Sequence, residues 1–571
     1  MKIKGKRPNF LIFMVDEERY PVSYETEAIK AWRKAEFKAQ DALRQSGIEF
    51  HHHYAGATAC CPSRTTIFTG QYPSLHGVTQ TTGAAKSSFD SDMFWLDPNT
   101  VPTMGDYFRA GGYRTFYKGK WHLSDGDIIL PGTRYPLESY DSNGQPLPEN
   151  IDLYLRANRL NDYGFTGWVG PEPHGAAKSN TGTNRDAGFM NEAIHLLEAL
   201  EAEYKKPRGD KSPWLIVNSY VNPHDIVLFG LAWKNFGYDY TTGFVPNIPR
   251  PETEGESLDT KPRAQQSFVD VYPKMLAPQP TTETYRQFYY YLQKESDQHI
   301  YNVYQQLANS PFFENTIVLF TSDHGDLLGA HGGMHQKWHQ AYEEATHVPL
   351  IISNPVLFNK PGDASMLTSH VDLIPTLLGL AEIDAEAAQK EVGKSHSEAR
   401  QLVGRDLSPV VLGKQDPNRS TSPLYFMTDD EISSGQNQVS PITGKPYRAV
   451  VQPNHIETVI TAIDAPGGEQ IWKYSRYFDN PQFWSSPFQQ DQVIVDCKTI
   501  TKKKPLRPEF EMYNLTGDQL EEENLAAKSN RSRADKARAD ELNKLLKEQR
   551  KAKRLYPRSL PVYIYDTIQS D

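Results

Sequence analysis

The chain has 571 residues, with 61 Lys and Arg against 71 Asp and Glu, and its formal net charge is −10 at pH 7. This charge argues against a nucleic-acid partner, no apolar run approaches the ~20 residues of a membrane span, and three cysteines cannot form a disulfide framework. The length exceeds that of a usual single core, so we expect a soluble protein of two domains.

The first apolar run, residues 8 to 15, is typical of a strand that is buried on both faces and ends in Asp16 and Glu17. Basic residues precede the run, as in a signal peptide, but it reaches Asp16 too soon and no small-residue cleavage site follows. We therefore expect a first strand and a cytoplasmic protein. Ligands in open α/β sheets lie beyond the carboxyl ends of strands, so Asp16 and Glu17 are placed to hold a divalent metal.

Residues 59 to 70 contain a Cys-x-Pro-x-Arg signature, formed by Cys60, Pro62 and Arg64 and followed by Thr69-Gly70. Residues 63 to 68 are predicted to begin a helix that is entered through Pro62. Cys60 would then lie where free backbone N–H groups and the positive end of the helix dipole point at an anion. Arg64 can pair with nearby carboxylates through charge-assisted hydrogen bonds.

Polar residues also follow three later apolar segments. Lys120 and His122, in Gly-Lys-Trp-His, alternate with the period of a strand, so both can face one pocket. His224, in Asn-Pro-His-Asp, has a side chain suited to general acid catalysis near neutral pH. Asp323 and His324 end another buried strand, and together with the first strand end they could share one ion.

These motifs, which follow one another from Asn9 to about Ala527, resemble those of the formylglycine-dependent sulfatases of the alkaline phosphatase superfamily. The resemblance implies an α/β fold with a large mixed, mostly parallel sheet flanked by helices and a smaller C-terminal antiparallel-sheet domain. It also implies that maturation machinery oxidises Cys60 to Cα-formylglycine, whose hydrated aldehyde attacks the sulfur of a small-molecule sulfate ester.

The resemblance assigns a metal site for one divalent cation, with Ca²⁺ favoured and Mg²⁺ or Mn²⁺ as alternatives. The implied ligands are Asp16, Glu17, Cys60, Asp323 and His324. Family members usually have Asp or Gln where this chain has Glu17.

The resemblance also assigns the catalytic groups Cys60, Arg64, Lys120, His122, His224 and Lys337. Lys120 and Lys337 would grip the sulfate oxygens, and His224 would protonate the leaving group. Arg64 would hold the nucleophile and the metal carboxylates, while His122 would contact a formylglycine hydroxyl and assist sulfate release. Lys337 is one residue farther from the following Tyr-Glu-Glu than in typical members.

The predicted domains are a catalytic domain at 1–415 and a small-sheet and helix domain at 416–571. Residues 125–184 and 226–282 are rich in Gly, Pro and polar residues, which predicts long loops over the pocket mouth that select the substrate. Residues 281–307 and 526–555 have helical patterns. His331, His335 and His339 recur every four residues, and we interpret them as pocket wall or surface rather than a second metal site.

The predicted function is hydrolysis of an organic sulfate monoester. A phosphonate monoester or phosphodiester hydrolase is the alternative, because sulfate and phosphate esters have similar shapes. A non-catalytic anion-binding homologue is disfavoured, since every assigned catalytic residue is present. A carbohydrate, an aryl group and a small cationic alcohol all remain open as the sulfated alcohol, and a homo-oligomer remains possible.

Overall fold

Two principal β-sheets, of seven and four strands, organise the chain. The computed structural model describes residues 7–83, 86–173, 177–235, 237, 242–420, 422–435, 438–440, 442–495, 498–527 and 532–558. The strands are β1 (Asn9–Asp16), β2 (Gly47–Tyr54), β3 (Arg114–Gly119), β4 (Trp214–Pro223), β5 (Thr316–Ser322), β6 (Leu350–Ser353), β7 (Gly362–Ser369), β8 (Leu424–Thr428), β9 (His455–Ala465), β10 (Gly468–Phe478), β11 (Asp491–Val495), β12 (Lys498–Lys502) and β13 (Glu509–Asn514).

Helices lie between most strands of the larger sheet, as expected for an α/β protein. The α-helices are α1 (Glu27–Glu36), α2 (Lys38–Gln45), α3 (Cys60–Thr69), α4 (Pro73–His76), α5 (Met104–Ala110), α6 (Pro148–Ala157), α7 (Gly182–Lys205), α8 (Leu231–Asn235), α9 (Arg263–Met275), α10 (Glu283–Ala308), α11 (Ala330–Gly333), α12 (Glu343–Thr346), α13 (Leu373–Leu380), α14 (Ala385–Val392), α15 (Ser408–Val411) and α16 (Arg533–Lys553).

The seven-stranded sheet has the order β3-β4-β1-β5-β6-β2-β7, and β6 alone runs antiparallel to its neighbours. The predicted fold, a large and mostly parallel mixed sheet flanked by helices, is confirmed. Because β3, β4, β1 and β5 are adjacent and parallel, their carboxyl ends meet at one edge of the sheet.

Burial on both faces explains the continuous apolar sequence of β1. Phe10, Ile12 and Met14 pack on one face, in the same cluster as residues of α3, α5 and α13. The intervening Leu11, Phe13 and Val15 pack on the other face, in the same cluster as residues of α7 and α10. The two-residue alternation of a strand thus fixes which side chains each helical layer covers.

The four-stranded antiparallel sheet, β13-β10-β9-β8, forms from residues after 423 and packs against α16. Glu457 of β9, which is fully buried, pairs with Arg476 at 3.0 Å and also with Arg550 of α16. The predicted small antiparallel sheet and C-terminal helix are confirmed, and the domain boundary at residue 415 stays a prediction.

Two predicted loop segments contain regular structure. The segment 125–184 includes α6, and the segment 226–282 includes α8 and α9, so the predicted long loops are interrupted by helices. The Gly, Pro and polar residues that suggested loops lie mainly around these helices, where they form the connections. Among the described residues, no helix combines the length and apolarity needed to span a membrane.

His331, His335 and His339 do not share a helix face, because α11 ends at Gly333 and His331 itself has a left-handed backbone. All three side chains are buried. His331 lies between Glu256, at 2.8 Å, and Glu344, at 3.2 Å, and stacks on Tyr342. Burial opposes protonation of His331, but the two carboxylates outweigh it and raise its pKa to about 9.

We expect His331→Gln to reduce the unfolding free energy by about 3 kcal/mol near neutral pH, because the folded state binds this proton more tightly than the unfolded chain does. The contribution is fully present below the unfolded pKa of about 6.5 and is lost as pH rises through about 9. Urea unfolding across this range should therefore show the two proteins converging at alkaline pH. His195→Gln, at an exposed site, is the control; a pH-independent difference for His331→Gln would contradict the ion-pair explanation.

Candidate functional site

The carboxyl ends of four parallel strands supply the side chains of the site. Asp16 ends β1, Asp323 follows β5, Lys120 follows β3, and His224 follows β4. Cys60 opens α3 beside them, three residues earlier than the sequence predicts for this helix. All five residues are at least nine-tenths buried, so their charges and hydrogen bonds act in a medium of low dielectric constant.

Four of the five predicted metal ligands converge. The ligand atoms of Asp16, Cys60, Asp323 and His324 lie within 4.8 Å of one another. His324 Nδ1 donates to the Gly325 carbonyl oxygen at 3.0 Å, which leaves Nε2 unprotonated and 3.1 Å from Cys60 Sγ. Two carboxylates and a neutral imidazole are a donor set that suits a divalent cation.

Glu17 lies outside this group and belongs to a second one with Asp16 and His224. Its carboxylate is fully buried and 3.0 Å from Lys337 Nζ. Burial raises the pKa of Glu17 well above its usual value, and nearby Asp326 adds to the effect. The geometry therefore makes Glu17 a partner of Lys337, and its predicted role as a metal ligand stays a prediction.

Arg64 connects the strand ends through a fully buried guanidinium group. It lies 3.1 Å from Asp323 and 3.4 Å from Asp16, and it donates to Ser219 Oγ at 2.6 Å. It also donates to the backbone carbonyls of Trp121, at 3.0 Å, and Lys120. A single side chain thereby links β1, β5, β4 and the segment after β3.

The two predicted lysines each face a carboxylate. Lys120 Nζ is 2.7 Å from Asp16 Oδ2, and Lys337 Nζ is 3.0 Å from Glu17 Oε2. Burial would lower the pKa of Lys120, but the charge of Asp16 raises it, so the ammonium is charged. Burial would also raise the pKa of Asp16, yet the charge of Lys120 holds it well below its usual value.

Burial, followed by the charge of Asp16, raises the pKa of the Cys60 thiol well above its usual value. The pKa of His224 shifts in the opposite direction: burial and the charge of Lys120 lower it well below the usual value. Its Nδ1 has no hydrogen-bond partner among the described residues. Both side chains are therefore uncharged in a pocket whose ammonium groups attract an anion.

Lys120 and His122 follow the end of β3 at Gly119, so the strand period that suggested a common pocket does not apply to them. Gly119 has a φ of 100°, and a Cβ atom there would lie 1.7 Å from the Ser219 carbonyl oxygen. His122 has a left-handed backbone, and its Nε2 is 2.7 Å from Thr82 Oγ1. The chain turns out of the sheet at the position where the sequence continues a strand.

Glu172, which sequence reasoning missed, holds this turn. Its two carboxylate oxygens accept the backbone N–H groups of Trp121 and His122, each at 3.0 Å. The Glu172 N–H group in turn donates to Asp127 at 2.7 Å. No sequence spacing links residue 172 to residue 122, so only the fold reveals the contact.

A cavity of about 680 Å³ adjoins His122. Its wall includes Thr82 and Trp95 and several residues between 125 and 180, which is part of the first predicted insert. The insert therefore borders the site, and its role in substrate selection stays a prediction.

Comparisons with known proteins agree with this arrangement. The family described as "Sulfatase" matches residues 8–383. The sulfatase YidJ of Escherichia coli strain K12 is 27% identical over 384 residues, which are 66% of this chain and 69% of that protein. A solved 2-O GAG sulfatase has a TM-score of 0.56 at 18% identity, covering 99% of this chain and 93% of its own. The phosphonate monoester hydrolase of Agrobacterium radiobacter also shares the fold, with a TM-score of 0.56, 18% identity and 96% coverage of each chain.

We expect Glu172→Gln to lower the rate of aryl sulfate hydrolysis by about tenfold or more, because a carboxamide accepts only one of the two backbone N–H groups. The loss should fall mainly on kcat, since the substitution loosens His122 rather than removing a side chain that grips the ester. Steady-state kinetics would measure it, with exposed Glu149→Gln as the control. Equal kinetics in the two variants would contradict a positioning role for Glu172.

Proposed function

The chain belongs to the sulfatase family, which makes it a sulfuric ester hydrolase, and we propose that Cys60 supplies its nucleophile after oxidation to formylglycine. The observation that carries this proposal is the position of Cys60. Its Sγ lies 3.7 Å from Asp16 and 3.1 Å from His324, at the opening of a helix and amid the metal-binding carboxylates. A hydrated aldehyde on this carbon would place a hydroxyl nucleophile at that point.

The cationic groups of the site suit the sulfate half of the substrate. Lys120 and Lys337 are charged, buried and directed at carboxylates in the same pocket. Buried cations interact with a sulfate ester much more strongly than exposed ones, because water does not screen them. We infer that both lysines bind the sulfuryl oxygens and stabilise the charge that develops during displacement.

We assign the divalent metal to Asp16, Cys60, Asp323 and His324. When bound, the cation would supply Lewis-acid stabilisation of negative charge at this point. Arg64 keeps the two carboxylates oriented through its contacts with both. Oxygen donors favour Ca²⁺, with Mg²⁺ or Mn²⁺ as the alternatives. Glu17, paired with Lys337, would keep that lysine protonated, and the other four residues would bind the cation.

His224 is our candidate for the acid that protonates the leaving alkoxide. It lies in the group formed with Asp16 and Glu17 and has an unpartnered Nδ1 atom. An anionic ester bound beside it would favour the imidazolium form, which can then donate its proton. His122, held by Glu172 just beyond the end of β3, would contact the remaining hydroxyl of the nucleophile and assist sulfate release.

We expect Cys60→Ala to abolish sulfate ester hydrolysis, because the substitution removes the reacting group. The thermal unfolding midpoint should stay almost unchanged, because the side chain that is removed is small. Mass measurement of the peptide that spans Cys60 should reveal an aldehyde in the active protein. Cys61→Ala is the matched control, since Cys61 is equally buried but absent from the predicted ligand set. Full activity with an unmodified thiol at position 60 would refute this assignment.

The second candidate function, hydrolysis of phosphonate monoesters or phosphodiesters, is supported by the shared fold of the Agrobacterium radiobacter enzyme. That likeness concerns the fold alone, whereas the family match concerns the sequence. We therefore expect an aryl sulfate to be turned over with a higher kcat/KM than an aryl phosphodiester or phosphonate. Parallel measurements of kcat/KM for these esters on one purified preparation distinguish the two functions. A large preference for the diester would reverse the assignment.

A further inference from the structure

The cavity beside His122 carries a charge opposite to that of the sulfate end. Its wall includes four carboxylates, those of Asp125, Asp127, Glu138 and Glu172. None of these carboxylates forms an ion pair among the residues for which the structure gives positions. Only two cationic side chains, Lys86 and Arg134, border the same space.

Neither cation neutralises this wall. The Lys86 ammonium is buried and already bonded to Gln80 at 2.8 Å, Asp92 at 2.7 Å and the Glu431 carbonyl oxygen at 3.1 Å. Arg134 is exposed, and its guanidinium lies over the Phe89 ring, 5.5 Å from the centroid. The two cations that border the cavity therefore leave its four carboxylates without an ion-pair partner, and the buried Arg185 acts on Asp127 and Glu138 only from beyond ion-pair distance.

Burial makes the ionised form of these carboxylates costly, which a cation in the cavity would offset. It raises the pKa of Asp127 to about 6 and that of Glu172, which also feels the charge of Asp127, to about 7. A cation in the cavity would favour the ionised forms of both groups. Glu138 Oε2 is buried without a hydrogen-bond partner, so it too has acceptor capacity that a ligand could use.

Aromatic side chains line the same space. The Trp95 ring lies 6.3 Å from the His122 ring, and Trp95 Nε1 has no partner among the described residues. Phe89 and Tyr135 are 45% and 74% exposed at the rim. Aromatic faces next to carboxylates bind alkylammonium groups through cation–π attraction combined with charge pairing.

We propose that the alcohol half of the substrate carries a positively charged group, which lies between Trp95 and the carboxylates of this cavity. The inference rests on the proposed function and adds the class of substrate to it. Lysines and Arg64 surround the sulfate end while carboxylates surround the alcohol end, so the two regions match a zwitterionic ester aligned from one to the other. An alcohol with a second sulfate or a carboxylate would place its anion against four others.

Three alkyl sulfates of equal length test this charge preference. They end in a trimethylammonium group, a tert-butyl group of the same shape, and a carboxylate. We expect kcat/KM to fall by about tenfold from the first to the second, the size of a partly desolvated cation–π and charge contact, and to fall further for the third. Equal values for the first two esters, or a preference for the carboxylate, would overturn the proposal.

Substitutions locate the source of the preference. Asp125→Asn and Glu138→Gln should each reduce the ratio of ammonium to tert-butyl ester turnover by about threefold, because each removes one charge from the cavity wall. Asp152→Asn, a carboxylate on α6 outside the cavity and paired with Arg156, is the control and should leave the ratio unchanged. An unchanged ratio in both cavity variants would overturn the assignment of the binding region.

Calorimetry on the Cys60→Ala protein separates recognition from chemistry. If the ammonium ester binds most tightly but no ester is hydrolysed by the unsubstituted protein, the proposed function fails and the charge preference stands. If esters are hydrolysed but bind without regard to charge, the charge preference fails and the function stands. Failure of all three esters to bind at millimolar concentration would also overturn this inference.

Discussion

The buried guanidinium of Arg64 is the contact on which the rest of the site depends. Asp16 and Asp323 end adjacent parallel strands, and without a cation their carboxylates would repel each other in a region that excludes water. Arg64 offsets this repulsion while its remaining donors hold Ser219 and the segment after β3. A planar group with five donors can meet all these acceptors at once, which a lysine could not. The position of the Cys60 helix therefore fixes the strand ends relative to one another.

The two ammonium groups of the pocket each lie against a carboxyl group, which explains how both lysines can be buried there. Lys120 pairs with Asp16, and Lys337 pairs with Glu17. A buried pair of this kind contributes little net stability, because desolvation of both ions offsets their attraction. Its value lies in pre-organisation: the ammonium groups are already dehydrated and oriented before an anion arrives.

The sequence predicts the strand ends well, because their signal is local. An apolar run that stops at a polar residue marks β1 and β5, and parallel strand ends must share an edge, so Asp16 and Asp323 could be brought together from the sequence alone. The sequence could not predict the contact of Glu172 with residues 121 and 122 or the pairing of Glu17 with Lys337. Those contacts join segments about fifty and three hundred residues apart. The left-handed backbone of His122 was also unpredictable, since the strand period continues through it in sequence.

The segment between 125 and 180 lies next to both the cavity and the turn that carries His122. Glu172 orients the turn that carries His122, and Asp127 orients Glu172, while both carboxylates also border the cavity beyond His122. A group bound in that cavity would therefore contact the same side chains that position His122. Asp16, Cys60 and Asp323 lie outside the segment, so a change within it would leave the candidate nucleophile and its neighbouring carboxylates in place.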